Sequence, residues 1–301
     1  MIRIQIRRVD LMLKRIITSI VAVCVLIPIL FLADTWVLPI AVSICAVIGV
    51  YEMISCLGYK KNFFLSVPLC LAAAFFPVFT RHIYLTVEYQ TGAFHELLKL
   101  ALGIAFLMAL YVFGVAVFAN KTVKITDAGL LFAASFYIIA AFSAIVYIHD
   151  FINGGKYIYL LTFICAWVTD IFAYFVGRFL GKHKLIPAVS PKKTVEGAIG
   201  GVVFCVIATV VFGIVIERFF NNGGVITANY VVLAVSGILV SVVSQTGDLI
   251  MSVIKRHYGI KDYGKLFPGH GGILDRFDSV LAVSLILAFI CTYFELLPAV
   301  A

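Results

Sequence analysis

Asp248, Ser252, Lys255, Arg256, Lys261, Asp262, His270, Asp275, Arg276 and Asp278 all fall within one stretch, residues 248–279. Gly259, Gly264, Gly269, Gly271 and Gly272 are interspersed with them. Asp248, Ser252 and Lys255 are spaced i, i+4, i+7, which puts them on one face of a helix. Asp275 and Asp278 are spaced i, i+3 at the mouth of the next apolar run. Each acid has a plain alternative: Asp248 paired with Lys255 or Arg256 at a helix end, Asp278 capping a helix start. The chemical reading brings Asp248 and Asp275 together, where they would repel unless a cation sat between them. Hard oxygen ligands, nearby Lys and Arg, and glycines whose backbone can approach phosphate describe magnesium bound with substrate phosphates. Asp248 and Asp275 are the expected metal ligands, and Lys255 and Arg256 the phosphate holders.

A second polar segment, residues 177–200, contains Ser190-Pro191-Lys192-Lys193-Thr194-Val195-Glu196-Gly197. Two cations, two hydroxyls and backbone donors near a helix start suit an anionic phosphate. The alternative is a connection that carries lysine for topology alone. Asp170, Tyr174 and Arg178 follow helical spacing. Asp170 lies about two turns deep, so it lines a cavity or joins an internal pair. Glu52 stands alone near the end of an apolar run, as either an interfacial residue or a site wall. No P-loop, dinucleotide fingerprint or zinc-protease motif occurs.

These residues need positioning elements, and the composition says which. Apolar residues make up 63% of 301 positions and charged residues only 13%, far from the balance of a soluble domain. Repeated apolar runs of membrane-spanning length predict an all-α, polytopic helical membrane protein. Nine spans are expected: Ile16–Leu32, Trp36–Leu57, Phe64–Phe79, Leu97–Phe118, Ala128–Ile148, Tyr157–Val176, Gly197–Ile216, Tyr230–Val253 and Phe277–Leu297. The third is short and holds Pro68 and Pro77. Residues 80–96 read as a plain loop. With the N-terminus cytoplasmic and the C-terminus outside, 19 of the 23 Lys and Arg fall inside and 4 outside, as the positive-inside rule requires. Both polar segments then lie on the cytoplasmic face and can build one site. The chain is one membrane-embedded domain, residues 1–301: helices 1–150 come first, then helices 157–297 with the catalytic loops. The seven cysteines form no CxxC pair, so neither disulfides nor zinc are indicated. The net charge of +8 reports topology and anionic lipid, and nothing points to nucleic acid.

The stretch 248–279 resembles the signature of the phosphatidate cytidylyltransferases, also called CDP-diacylglycerol synthases. The resemblance rests on Ser252, Lys255-Arg256, Lys261-Asp262, Gly264, His270-Gly271-Gly272, Asp275-Arg276 and Asp278, with no departure across these 27 residues. Ser190 to Gly197 is similar to the family's second hallmark. The N-terminal half resembles the family only in being several apolar spans. The resemblance implies that CTP and phosphatidate give CDP-diacylglycerol and pyrophosphate, for phospholipid synthesis in the cell membrane. It implies Mg2+ on Asp248 and Asp275, with a monovalent cation such as K+ beside it, and a homodimer in the lipid bilayer. His270 joins the catalytic group, to bond a phosphate or orient Asp275. Ser190, Lys192, Lys193, Thr194, Glu196, Ser252, Lys261, Asp262, Gly269, Gly271, Gly272, Arg276 and Asp170 are the expected substrate-binding residues. Competing readings are a CTP-dependent lipid or polyprenol kinase, which would release CDP, and a cation-coupled transporter, which would move ions without nucleotide.

Overall fold

The computed structural model describes residues 21–22, 24–87, 90–220, 227–269 and 271–298. The basic N-terminal segment, the start of the first expected span and His270 lie outside the described residues. The described chain runs α1 (24–31), α2 (Val37–Cys56), α3 (Phe63–Thr86), α4 (Gln90–Phe118), α5 (Ile125–Phe151) and α6 (Gly155–Phe179). A two-stranded hairpin follows, β1 (Lys184–Ile186) and β2 (Ser190–Thr194), then α7 (Val195–Phe219), α8 (Tyr230–His257) and α9 (Leu274–Tyr293). Among the described residues, seven helices, α2 to α8, are long and apolar enough to cross a membrane. The chain is a polytopic helical membrane protein. In lipid every backbone polar group must bond internally, which is why these apolar runs are helices.

α5 is the most enclosed helix and packs on α2, α3, α4, α6 and α9. α6, α7 and α8 form a second group that closes on α9. Contacts between connections sort them into two ends. At one end Asp127, opening α5, accepts hydrogen bonds from the hydroxyls of Tyr59 (2.7 Å) and Tyr258 (2.9 Å). Burial and this carboxylate raise both phenols above their usual range, Tyr258 the further. At the other end Asn229 N–H donates to the Leu296 carbonyl (3.0 Å) and Thr227 N–H to that of Pro298 (3.0 Å).

Three sequence expectations change. α3 is 24 residues long and keeps both prolines inside it. A proline leaves the carbonyl four residues earlier without its donor. For Pro68 that acceptor is Phe64, and Tyr111 Oη of α4 donates to it at 2.6 Å. Ser43 Oγ donates to the Ala74 carbonyl beside the acceptor that Pro77 leaves (2.9 Å). Residues 80–96 are mostly helical rather than a plain loop, because α3 runs to Thr86 and α4 starts at Gln90. Arg81 is buried, clamped on Asp150 at 2.6 and 2.9 Å and bonded to the Ala33 and Thr35 carbonyls. The last expected span ends as a helix at Tyr293, and the segment after it pairs with residues 227–229.

Candidate active site

α8 delivers the first acid. Gly247 sits where α8 crosses α9; an added Cβ there would lie 2.4 Å from Ala282 Cβ and 3.2 Å from the Asp278 carbonyl. This close approach sets Asp248 beside α9. The face carrying Asp248, Ser252 and Lys255 then divides its work. Ser252 Oγ donates to Asp248 Oδ1 at 3.4 Å. Lys255 turns away to Asp275 Oδ1 at 3.0 Å, with Tyr263 packed 5.3 Å from its ammonium.

Asp248 pairs with neither Lys255 nor Arg256. Its partner is Lys193 of β2, whose Nζ lies 2.5 Å from Asp248 Oδ2. The ammonium is a close countercharge without a directed hydrogen bond, and its nitrogen is shielded from water. This contact joins the two polar segments. The hairpin that presents Lys193 is tied down locally: Thr194 caps α7 by accepting from Gly197 N–H (3.1 Å), and Glu196 accepts from His183 N–H and faces its ring at 2.7 Å. Glu196 is therefore engaged within the hairpin.

Two more carboxylates face Asp248. Asp170 of α6 accepts from Ser279 Oγ at 3.0 Å. Asp170, Asp248 and Asp278 lie close enough to repel one another, with Lys193 countering Asp170 and Asp248 and Lys255 countering Asp278. A cavity of about 540 Å³ opens here, lined by Asp170, Arg178, Lys192, Lys193, Gln245 and Asp248. Its size suits a nucleotide-sized ligand. Gln245, with its amide donating to the Ala198 carbonyl (3.2 Å), had no signal in the sequence beyond one polar residue in an apolar run.

Asp275 is held differently. It is buried, and its Oδ2 accepts from Tyr263 N–H (2.7 Å) and Gly272 N–H (2.9 Å) while Oδ1 takes Lys255. It fastens the loop between α8 and α9 to the start of α9. Tyr263 is buried with it, its hydroxyl donating to the Met251 carbonyl (2.9 Å), and burial pushes that phenol well up. Glu52 of α2 reaches the same place: its carboxylate accepts from Ile273 N–H (3.0 Å) and Leu274 N–H (2.9 Å). Of the two readings for Glu52, the wall of this loop is the one observed. Arg256, Lys261, Asp262 and Arg276 are exposed around the loop, and Gly269 and Gly271 turn it with positive φ.

Among the described residues, no three Asp, Glu, His or Cys side chains are arranged to wrap a metal on their own. Magnesium bound with phosphates needs only one or two protein carboxylates and keeps waters. Asp248 with Asp278 or Asp170 could meet that need, since their charges act on one another.

The chain matches the cytidylyltransferase family model over residues 13–294. It is 33% identical to a phosphatidate cytidylyltransferase of Bacillus subtilis (strain 168) over 284 residues, covering 94% of this chain and 99% of that protein. It is 33% identical to the phosphatidate cytidylyltransferase of Staphylococcus saprophyticus over 269 residues, 89% of this chain and 95% of that one. A protein of the same name from Staphylococcus aureus (strain COL) is also 33% identical over 269 residues. With a family model covering nearly its whole length and relatives aligned end to end, the chain belongs to the cytidylyltransferase family.

Proposed function

We propose that this protein transfers the cytidylyl group of CTP to phosphatidate, giving CDP-diacylglycerol and pyrophosphate. The observation that carries the reading is the Lys193–Asp248 pair, which brings both polar segments to one cavity. The relatives' activity as phosphatidate cytidylyltransferases supports the substrates. In the reaction a phosphate oxygen of phosphatidate attacks the α-phosphorus of CTP. The new oxygen–phosphorus bond forms as the bond to the β-phosphate oxygen breaks, and pyrophosphate leaves. The nucleophile is already an anion, so no strong base is required. The protein must hold two anions together and offset their repulsion. Lys192, Lys193 and Arg178 line the cavity and serve this role.

Asp248 would hold magnesium, with Asp278 and Asp170 near enough for their charges to act on it. When bound, the ion supplies charge neutralisation and Lewis-acid polarisation of phosphate oxygens. The resemblance of the signature to the family is what suggests a monovalent cation alongside. Asp275, expected from the sequence as the second ligand, spends its oxygens on Lys255 and two loop amides, and so supports the site by positioning.

Nine spans, a cytoplasmic N-terminus and a cytoplasmic active site complete the proposal. The charge asymmetry supports this topology. Arg81 is buried in an ion pair and drops out of the outside tally, which strengthens the asymmetry. A phosphatase fusion at the C-terminus should be active outside the cell; an inactive one would overturn the orientation. The functional test is product analysis of purified protein given CTP and phosphatidate, with and without magnesium. CDP-diacylglycerol and pyrophosphate are expected only with magnesium. Release of CDP would mean a kinase, and ion flux without nucleotide would mean a transporter.

A further inference from the structure

The loop between α8 and α9 is held from the opposite half of the chain. Ile273, at the N-cap of α9, offers no side-chain oxygen, and the first N–H groups of a helix need acceptors. Glu52 supplies them across 221 residues, with one oxygen on Ile273 N–H and the other on Leu274 N–H. A carboxylate there is also favoured by the helix dipole. Glu52 is 6% exposed and lies in the apolar helix α2, a costly place for an acid without a task.

Two signature glycines fit around it. A Cβ at Gly272 would lie 2.0 Å from Glu52 Oε1, and one at Gly264 would lie 2.2 Å from it. Neither glycine has positive φ. At Gly272 the three nearest atoms to such a Cβ all belong to the carboxylate, so it is Glu52 that excludes a side chain; at Gly264 the carboxylate is nearest and the Gly272 backbone adds to the crowding at 3.0 Å. In the first turn of α9 stands Asp275, which grips Lys255 and the amides of Tyr263 and Gly272, and one turn beyond it Asp278, close enough to feel the charge of Asp248.

We propose that Glu52 is a positioning residue for cytidylyl transfer: it fixes the N-terminus of α9, and through it the placement of Asp275, Lys255 and Asp278. The inference rests on the proposed reaction for its catalytic consequence and on geometry alone for its structural one. Glu52→Gln keeps the shape but offers one acceptor oxygen to two donors and sets its NH2 against the other. Displacing catalytic groups by about 1 Å can cost about 100-fold in rate. Glu52→Gln in the full-length purified protein should therefore lose about 10- to 100-fold in kcat, on that scale. KM for CTP and phosphatidate should change less than about threefold on the same argument, because the cavity wall is untouched. The unfolding temperature should fall modestly, because one buried N–H loses its acceptor. A merely structural acid would lower the unfolding temperature alone and leave the kcat of folded protein unchanged.

Two further measurements keep the proposal testable if that variant folds poorly. Hydrogen–deuterium exchange at residues 271–276 should rise in Glu52→Gln and in Gly272→Ala. In a double-mutant cycle, Gly272→Ala should be costly with Glu52 present and nearly harmless in Glu52→Ala, where the methyl fills vacated space. Multiplying effects in the cycle, or wild-type kcat and exchange in Glu52→Gln, would overturn the proposal. A wild-type protein that makes no CDP-diacylglycerol would overturn the reaction, while the exchange arm would still decide whether Glu52 holds the loop.

Discussion

Replacing Lys193 with methionine should tighten magnesium binding while it slows turnover. Lys193 and Asp248 lie 2.5 Å apart, each with a quarter of its side chain in water. Unit charges about 4 Å apart at an effective dielectric near 20 attract by about 4 kcal/mol. Exposed pairs measure well under that, so about 1–2 kcal/mol is a fair figure for this half-shielded one. A cation that takes Asp248 must give up that pair in the wild type and gives up nothing in Lys193→Met. The dissociation constant for magnesium should therefore fall about 5- to 30-fold, since each 1.4 kcal/mol is about tenfold. Turnover should drop because the cavity loses a cation that offsets phosphate repulsion. Titration calorimetry of nucleotide-free protein in detergent reads the affinity, and pyrophosphate release reads the rate. Unchanged or weaker magnesium binding would show that the ammonium is not the countercharge of a cation site.

Asp248→Asn should lower kcat by about 100- to 1000-fold, the scale of one key electrostatic group, and pyrophosphate release under saturating magnesium checks it. Lys255→Met strands Asp275, which is 3% exposed and keeps only its two amide donors. Losing one partner of a buried pair costs about 3–5 kcal/mol; thermal unfolding should show a clear loss, and Lys255→Met/Asp275→Asn should recover part of it. Arg81→Met should destabilise by about 1.5–3 kcal/mol, since buried Asp150 loses the guanidinium but keeps His149 at 2.6 Å. The activity of the folded fraction should not change, because Arg81 and Asp150 line a separate cavity that contains none of the signature residues. Tyr111→Phe leaves the Phe64 carbonyl of the Pro68 turn unbonded and should cost about 1–3 kcal/mol in unfolding.

The helices were legible because apolar runs in lipid have only one economical backbone, and most expected boundaries fall within a few residues of those observed. α3 was misjudged for a specific reason. The acceptor orphaned by Pro68 is repaired by Tyr111, 47 residues away, and no local pattern shows that. Arg81 was placed outside on its charge, yet its partner Asp150 lies 69 residues further on. In the site, glycine spacing and acid depth pointed to the two stretches that the Lys193–Asp248 pair joins. Side-chain direction along α8 could not be read, because an i, i+7 pair shares a face only on average. Asp248 leans to the hairpin and Lys255 to α9. That split separates the acid facing the cavity from the one locking the loop, and spacing alone had grouped them.

The N-terminal half carries none of the signature motifs, yet it fixes the signature at two points. Glu52 holds the start of α9, and Asp127 holds the end of α8 through Tyr258 while it also holds Tyr59. The segment between those points, residues 258–273, has almost no regular structure of its own, only the Phe267–Gly271 bridge among its described residues. A glycine-rich loop that must let its backbone approach phosphate pays a large ordering entropy. Anchoring both ends on rigid helices shortens the free segment and lowers that cost. An acid in α2 and an acid opening α5 are then requirements of the loop rather than ornaments of the scaffold. A C-terminal fragment carrying both polar segments would accordingly lack the order that the loop needs. Co-expressing residues 1–150 with 151–301 should restore cytidylyl transfer that the second fragment alone does not show, and Glu52→Gln in the first fragment should weaken that restoration.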